Sequence, residues 1–220
     1  FLPMLEKKSG LESLTMDLLT LHEDDAHALA TVLEKNTSLR RLEISTEEGS
    51  GTSVAAAEIL LSAVKTNNKL ASLGLQMHKL SGFDKDERDL ARALGELIRV
   101  NTTLQSFSLD CWELTNTSAA EIANALPFNT CIRTLNLDGG FEQSAILTII
   151  KNLSSPWSKS ALSTLSLCSY HQTVFSSPID DIALLIRSNT KLESIKLEFS
   201  YSKPAGLLSI EEMGTLSAAM

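Results

Sequence analysis

Four histidines and three cysteines are the residues of this chain best suited to metal or nucleophilic chemistry. His22, His27, His78 and His171 contain no His-x-x-x-His pair, the spacing that puts two imidazoles on one helix face for zinc. Cys168 and His171 invite comparison with a nucleophile and its base. They stand three residues apart across a turn, however, and lack the third group that orients such pairs. Gly49, Ser50 and Gly51 precede a helical pattern but lack the Gly-Lys-Ser/Thr ending of a phosphate-cradling loop. Gly139 and Gly140 read as a tight strand exit that uses glycine's tolerance of positive φ. No enzymatic activity, catalytic residue, metal or cofactor is expected from these groups.

The elements that would position any side chain come from a repeat. Seven times the chain reads apolar, two residues, apolar, one residue, apolar, starting at Leu11, Leu39, Leu70, Leu104, Ile132, Leu162 and Leu192. A period of about 30 residues kept along a whole chain marks a solenoid, in which each unit buries its apolar face against its neighbours. In the second unit, Asp24 and Asp25 open a run with Ala28, Leu29, Val32 and Leu33 on one face. Asn36 ends it before Leu39, Leu42 and Ile44. The apolar period changes there from 3.6 to 2, which is a helix followed by a short strand. Acids at the helix start complement its dipole, and Asn36 suits the left-handed position past its end. Asn67, Asn101, Asn129 and Asn189 occupy the same place, three residues before the first apolar residue. Ser118 with Glu121 reads as a capping box, and Ser177 with Pro178 as a cap and first helical residue. Strands joined through helices run parallel with right-handed crossovers, so strands line one side of a rod and helices the other.

Residues 89–109 (DLARALGELIRVNTTLQSFSL) and 122–137 (IANALPFNTCIRTLNL) resemble leucine-rich repeats of the ribonuclease-inhibitor-like class, and the ALPFNT stretch is similar to the repeats of tropomodulin. The resemblance covers essentially the whole chain. It implies an α/β fold, a right-handed leucine-rich-repeat solenoid or curved horseshoe with about seven repeats of parallel strand plus convex helix. Because this class serves inhibitors, GTPase activators, immune receptors, actin regulators, ubiquitin-ligase adaptors and bacterial effectors, it implies a fold more than a role. One departure stands out. Three residues beyond the last apolar residue of each triplet the family usually has Asn or Cys, bonded to the turn backbone. This chain has Leu19, Glu47, His78, Trp112, Gly140, Tyr170 and Ser200 there. The similarity is therefore to divergent members, and the turns after the strands are expected to be less regular.

Strand alternation sends the triplet residues inward and the intervening ones to the concave face. One column of that face holds Asp17, Ser45, Gln76, Asp110, Asp138, Cys168 and Glu198. Most of the face is small and hydroxylic, without the aromatic and arginine anchors that dominate interfaces. Asp110 and Asp138, on strands about 4.8 Å apart, repel unless solvated or paired with a cation. A basic side chain or a divalent cation fits there; two solvated acids are the plainer reading. The aromatic residues Phe83, Trp112, Phe141, Tyr170, Phe175 and Tyr201 fall between a strand and the next helix, along one edge of the rod. They either anchor a partner or fold back over the core in place of the missing Asn. The longest turns, 77–86 and 168–178, are natural places for specificity, and the sign-alternating charges from Lys79 to Asp89 read as a solvated face.

With 43% hydrophobic and 21% charged residues, the chain can bury a long core, and it holds no apolar run long enough for a membrane span. A formal charge of −8 disfavours a nucleic-acid partner and is compatible with a basic protein. Cys111, Cys131 and Cys168 form neither a metal pair nor an even disulfide set, which suits a reducing compartment. Sequons at Asn36, Asn101, Asn116 and Asn152 read as chance, since Asn36 and Asn101 sit in helix-to-strand corners with little room for a glycan. Both ends read as cut from a longer protein. The expectation is one leucine-rich-repeat domain over residues 1–220, cytoplasmic, or in a host's cytoplasm if it is an effector. It is expected to be a non-catalytic module binding a protein through Phe83, Asp110, Trp112, Asp138, Phe141, Tyr170, Phe175 and Tyr201. The alternative is a regulator of enzyme chemistry (a GTPase activator or ubiquitin-ligase adaptor), a tropomodulin-like actin regulator, or an effector domain.

Overall fold

The computed structural model describes residues 10–47, 52–77, 80–81, 83–111, 114–169 and 179–199. Nine strands and six α-helices alternate along them. The strands are β1 (Ser13–Leu18), β2 (Arg41–Thr46), β3 (Thr52–Ser53), β4 (Ser72–Gln76), β5 (Leu80–Ser81), β6 (Ser106–Cys111), β7 (Thr134–Gly139), β8 (Thr164–Ser169) and β9 (Ser194–Phe199). The helices are α1 (Glu23–Lys35), α2 (Val54–Thr66), α3 (Phe83–Val100), α4 (Asn116–Ala125), α5 (Gln143–Leu153) and α6 (Ile179–Ser188). Seven strands form one parallel sheet in the order β1-β2-β4-β6-β7-β8-β9, while β3 and β5 pair in a small parallel sheet of their own. This α/β architecture of sequential parallel strands is compatible with a leucine-rich-repeat-like fold.

The alternation of the triplets fixes the register. Leu42, Leu73, Phe107, Leu135 and Leu165 are successive partners across five strands, as are Ile44, Leu75, Leu109, Leu137 and Leu167. All ten are buried, and they meet a row of helices in which each packs on the next. The helices supply Leu29, Val32, Leu60, Leu61, Leu94, Ile98, Ile122 and Ile149 to the same core.

The corners between helix and strand are built differently from the sequence expectation. Asn36, Asn67 and Asn129 have φ of −81°, −67° and −78°, and no described residue other than glycine has positive φ. These asparagines act through their side chains. Asn36 Oδ1 accepts from Ser38 N and Leu39 N, and Asn67 Oδ1 from Lys69 N and Leu70 N. Asn101 Oδ1 accepts from Thr103 N and Leu104 N, and Asn129 Oδ1 from Cys131 N and Ile132 N. Their amides reach back one unit: Asn67 Nδ2 donates to Leu33 O, Asn101 Nδ2 to Val64 O and Asn67 O, and Asn129 Nδ2 to Ile98 O. A left-handed residue would satisfy only its own helix end, whereas an extended Asn serves its own corner and its predecessor. Asn36, Asn101 and Asn129 are buried accordingly.

Two other expectations change. Helix α4 is capped by Thr115, whose hydroxyl accepts from Thr117 N and Ser118 N at 3.2 and 3.4 Å, so Ser118 is inside the first turn and buried rather than capping it. Gly139 is required for closeness and not for positive φ, because a Cβ there would lie 2.7 Å from Cys111 O and 2.8 Å from Leu114 Cβ. The proposed cap at Ser177 and Pro178 lies outside the described residues, as do the chain ends at 1–9 and 200–220.

Candidate functional site

The face of the sheet away from the helices forms a groove of ≈ 520 Å³. Its side chains are the ones that alternation turns away from the core. Thr15, Glu43, Gly74, Ser108, Asn136, Ser166 and Lys196 make one in-register column, and Asp17, Ser45, Gln76, Asp110, Asp138, Cys168 and Glu198 the next. Both columns line the groove. At Gly74 the surface dips, and a Cβ there would come within 3.3 Å of Glu43 Cγ.

Asp110 and Asp138 are register partners on β6 and β7, so the two carboxylates are neighbours on the groove floor. On one side a chain of polar side chains leads to them: Ser45 Oγ donates to Gln76 Oε1 at 3.2 Å, and Gln76 Nε2 donates to Asp110 Oδ2 at 3.4 Å. On the other side Asp138 Oδ1 is shielded from solvent and accepts no hydrogen bond among the described residues. Buried acceptors of this kind cost free energy when left without a donor. The groove's far end carries its cation: Lys196 Nζ lies 2.9 Å from Glu198 Oε1. The hydrogen bond and charge of Glu198 hold the Lys196 ammonium above its usual pKa, and the negative charge of Asp138 acts in the same direction. No three His, Cys, Asp or Glu side chains among the described residues come together as a metal-holding group.

On the edge where strands run into helices, Phe141 is the one aromatic candidate whose side chain is among the described residues. Phe141 is 0% exposed and belongs to the core, which corrects its place among the partner-binding residues. Large and apolar, it fills the end of the core beneath the turn after β7, where Asn116 Oδ1 accepts from Glu142 N and Ser169 Oγ donates to Phe141 O. Leu21 and Leu114 are buried in equivalent turns. Phe83 opens α3, so residues 83–86 are helical rather than part of the expected long turn. The remaining aromatic candidates, Trp112, Tyr170, Phe175 and Tyr201, lie outside the described residues. So do His171 and most of the 168–178 turn; Cys168 lines the groove from β8.

Sequence reasoning missed the opposite edge, where helices run into strands. Phe128 and Trp157 are 63% and 81% exposed there. A signal existed for the second: Trp157 falls in a corner where Lys159, not Asn, precedes the apolar triplet by three residues. The edges also differ in charge. From helix end to first strand residue, the corners carry Arg40, Arg41, Lys69, Arg133, Lys159 and Lys191 against Glu12 and Glu193. From strand end to first helical turn, the described side chains include Glu23, Asp24, Asp25, Glu47, Glu142, Asp180 and Asp181 and no Lys or Arg.

Neither a protein-family model nor a curated protein matches the chain. Among solved structures it is similar to one described as leiomodin-1 actin-binding site 2, at 18% identity and a TM-score of 0.46, with 60% of this chain and 71% of that one covered. No helix among the described residues is long and apolar enough to cross a membrane.

Proposed function

We infer that this chain is a non-catalytic protein-interaction domain, a leucine-rich-repeat solenoid whose seven strands present the groove to a partner. The observation that carries this reading is the register pairing of Asp110 with Asp138 at the groove floor, where Asp138 Oδ1 has no donor among the described residues. Two adjacent carboxylates and a shielded acceptor match an arginine or lysine side chain, which would supply both the charge and the missing donor. The small residues around them, Ser108, Ser166 and Gly74, leave room for a partner's backbone to approach. A basic segment of a protein therefore fits this surface better than a nucleic acid, whose phosphates the acids would repel.

The test is affinity capture by the wild type and by a double variant, Asp110→Asn with Asp138→Asn, at low and high salt. The expected result is a partner held by the wild type, released by salt and lost from the variant, with thermal stability of the variant equal or higher because a repulsive pair has gone. Equal capture by both proteins removes the groove from consideration. A parallel Trp112→Ala, Tyr170→Ala variant asks the same question of the strand-to-helix edge. Because residues 125–130 are similar to tropomodulin repeats, filamentous actin is the first defined partner to try by co-sedimentation. Failure to pellet with filaments discards the actin reading and leaves the groove test standing.

A further inference from the structure

The helix-to-strand edge is regular until α5, and there it breaks. Residues 154–163 separate α5 from β8, and no Asn closes this corner. The longer turn is nevertheless fixed to its neighbours. Lys159 N donates to Pro127 O at 2.6 Å and Ala161 N to Asn129 O at 3.3 Å. From the following unit, Lys191 Nζ donates to Ser160 O at 3.3 Å. Ser158 N donates to Ser155 O at 2.9 Å within the turn. A backbone held at this many points carries Trp157 with 81% of its surface in water. The corner to which it is bonded carries Phe128, and the corner before that carries the exposed Val100. These side chains add little to the core, and exposed large apolar groups on anchored backbone are the usual makings of an interface.

Charge selects the occupant. Arg133, Lys159 and Lys191 are exposed on these corners and the next; residues 101–105, 126–133 and 154–163 contain no carboxylate, and residues 189–193 carry one, Glu193. We propose that this edge docks an acidic segment of a partner protein that carries apolar side chains, with Trp157 and Phe128 as anchors and Arg133, Lys159 and Lys191 pairing its carboxylates. A short polypeptide can meet this edge alone. An extended anionic surface such as a lipid bilayer also faces the rest of a molecule whose formal charge is −8, and is repelled by it. The site is separate from the groove, whose acids call for a partner of opposite sign.

The probe is a fluorescently labelled synthetic peptide of glutamates interleaved with leucine and phenylalanine, followed by anisotropy, with a lysine-for-glutamate peptide as competitor. The wild type is expected to bind the glutamate peptide, more weakly as salt rises, and the lysine peptide is expected not to compete. Trp157→Ala and Lys159→Glu should each weaken binding at least about tenfold, the scale of an interface anchor. Exposure of both side chains predicts an unchanged melting curve, and the Asp110→Asn, Asp138→Asn protein should bind this peptide like the wild type. Equal affinity of wild type and Trp157→Ala overturns the proposal. So does absence of glutamate-peptide binding by the wild type, or binding of phosphatidylserine vesicles in its place.

Discussion

At the helix-to-strand edge, five asparagines bond their own corners, and the amides of Asn67, Asn101 and Asn129 also reach the preceding unit. At the strand-to-helix edge, buried apolar side chains such as Leu21, Leu114 and Phe141 close the turns instead. Among the described side chains the first edge is basic and the second acidic, and helix dipoles account for part of that difference. Acids gather at helix N-termini because partial positive charge is there, and cations are favoured beyond the C-termini. Arg40, with Nη1 donating to Thr37 O and Lys69 O, shows the second half of this rule. Hydrogen bonding demands the same side chain in each corner, whereas apolar filling accepts any shape of suitable volume. One edge is therefore repetitive and the other variable.

The comparison breaks first if the asparagines prove dispensable. Asn101→Ala leaves Leu104 N and Thr103 N without their acceptor and takes one of two donors from Val64 O, and should lower stability by roughly 2–4 kcal/mol in urea denaturation. A cost no larger than that of a helix cap would mean the bonded edge is not the stiffer one. Gly139→Ala, on the other edge, forces a Cβ against Cys111 O and Leu114 and should cost about 1–3 kcal/mol. A neutral result would show that this turn relaxes freely. Thr115→Ala removes the cap of α4 and should cost about 1 kcal/mol by the same measurement. The smallest effect lies on the helices between the edges. Lys65 Nζ is 2.8 Å from Glu96 Oε2, and that hydrogen bond holds the Glu96 carboxyl below its usual range. A depressed folded pKa stabilises above the unfolded value, and the gain is lost as pH falls through the folded one. The wild type should therefore exceed Glu96→Gln at neutral pH by no more than about 0.5 kcal/mol for so exposed a pair, with the difference vanishing in acid.

Much of the scaffold was legible because a period of 2 on the strands leaves a single register in which Leu42, Leu73 and Phe107 all face inward. The neighbouring Asp110 and Asp138 followed from the same alternation. The recurrence of Asn was visible too, but its means of action was not, since a left-handed backbone and a side-chain bridge put the same residue at the same place. Phe141 shows a further limit: an aromatic in a turn has one sequence appearance, whether it plugs the core or meets a partner. Trp157 lies on the edge poorer in aromatics, and the local departure that marks it is a lysine in the place of asparagine.

The backbone hydrogen bonds that join successive helix-to-strand corners have a direction. Arg41 N donates to Glu12 O, Ser72 N to Arg40 O, Ser106 N to Ala71 O, Thr134 N to Gln105 O, Thr164 N to Arg133 O and Ser194 N to Ser163 O. In each case the later unit brings the donor and the earlier one the acceptor, and the amides of Asn67, Asn101 and Asn129 obey the same order. A chain leaving the ribosome from its N-terminus releases earlier segments first. Each newly emerged corner thus finds its backbone acceptors already in place.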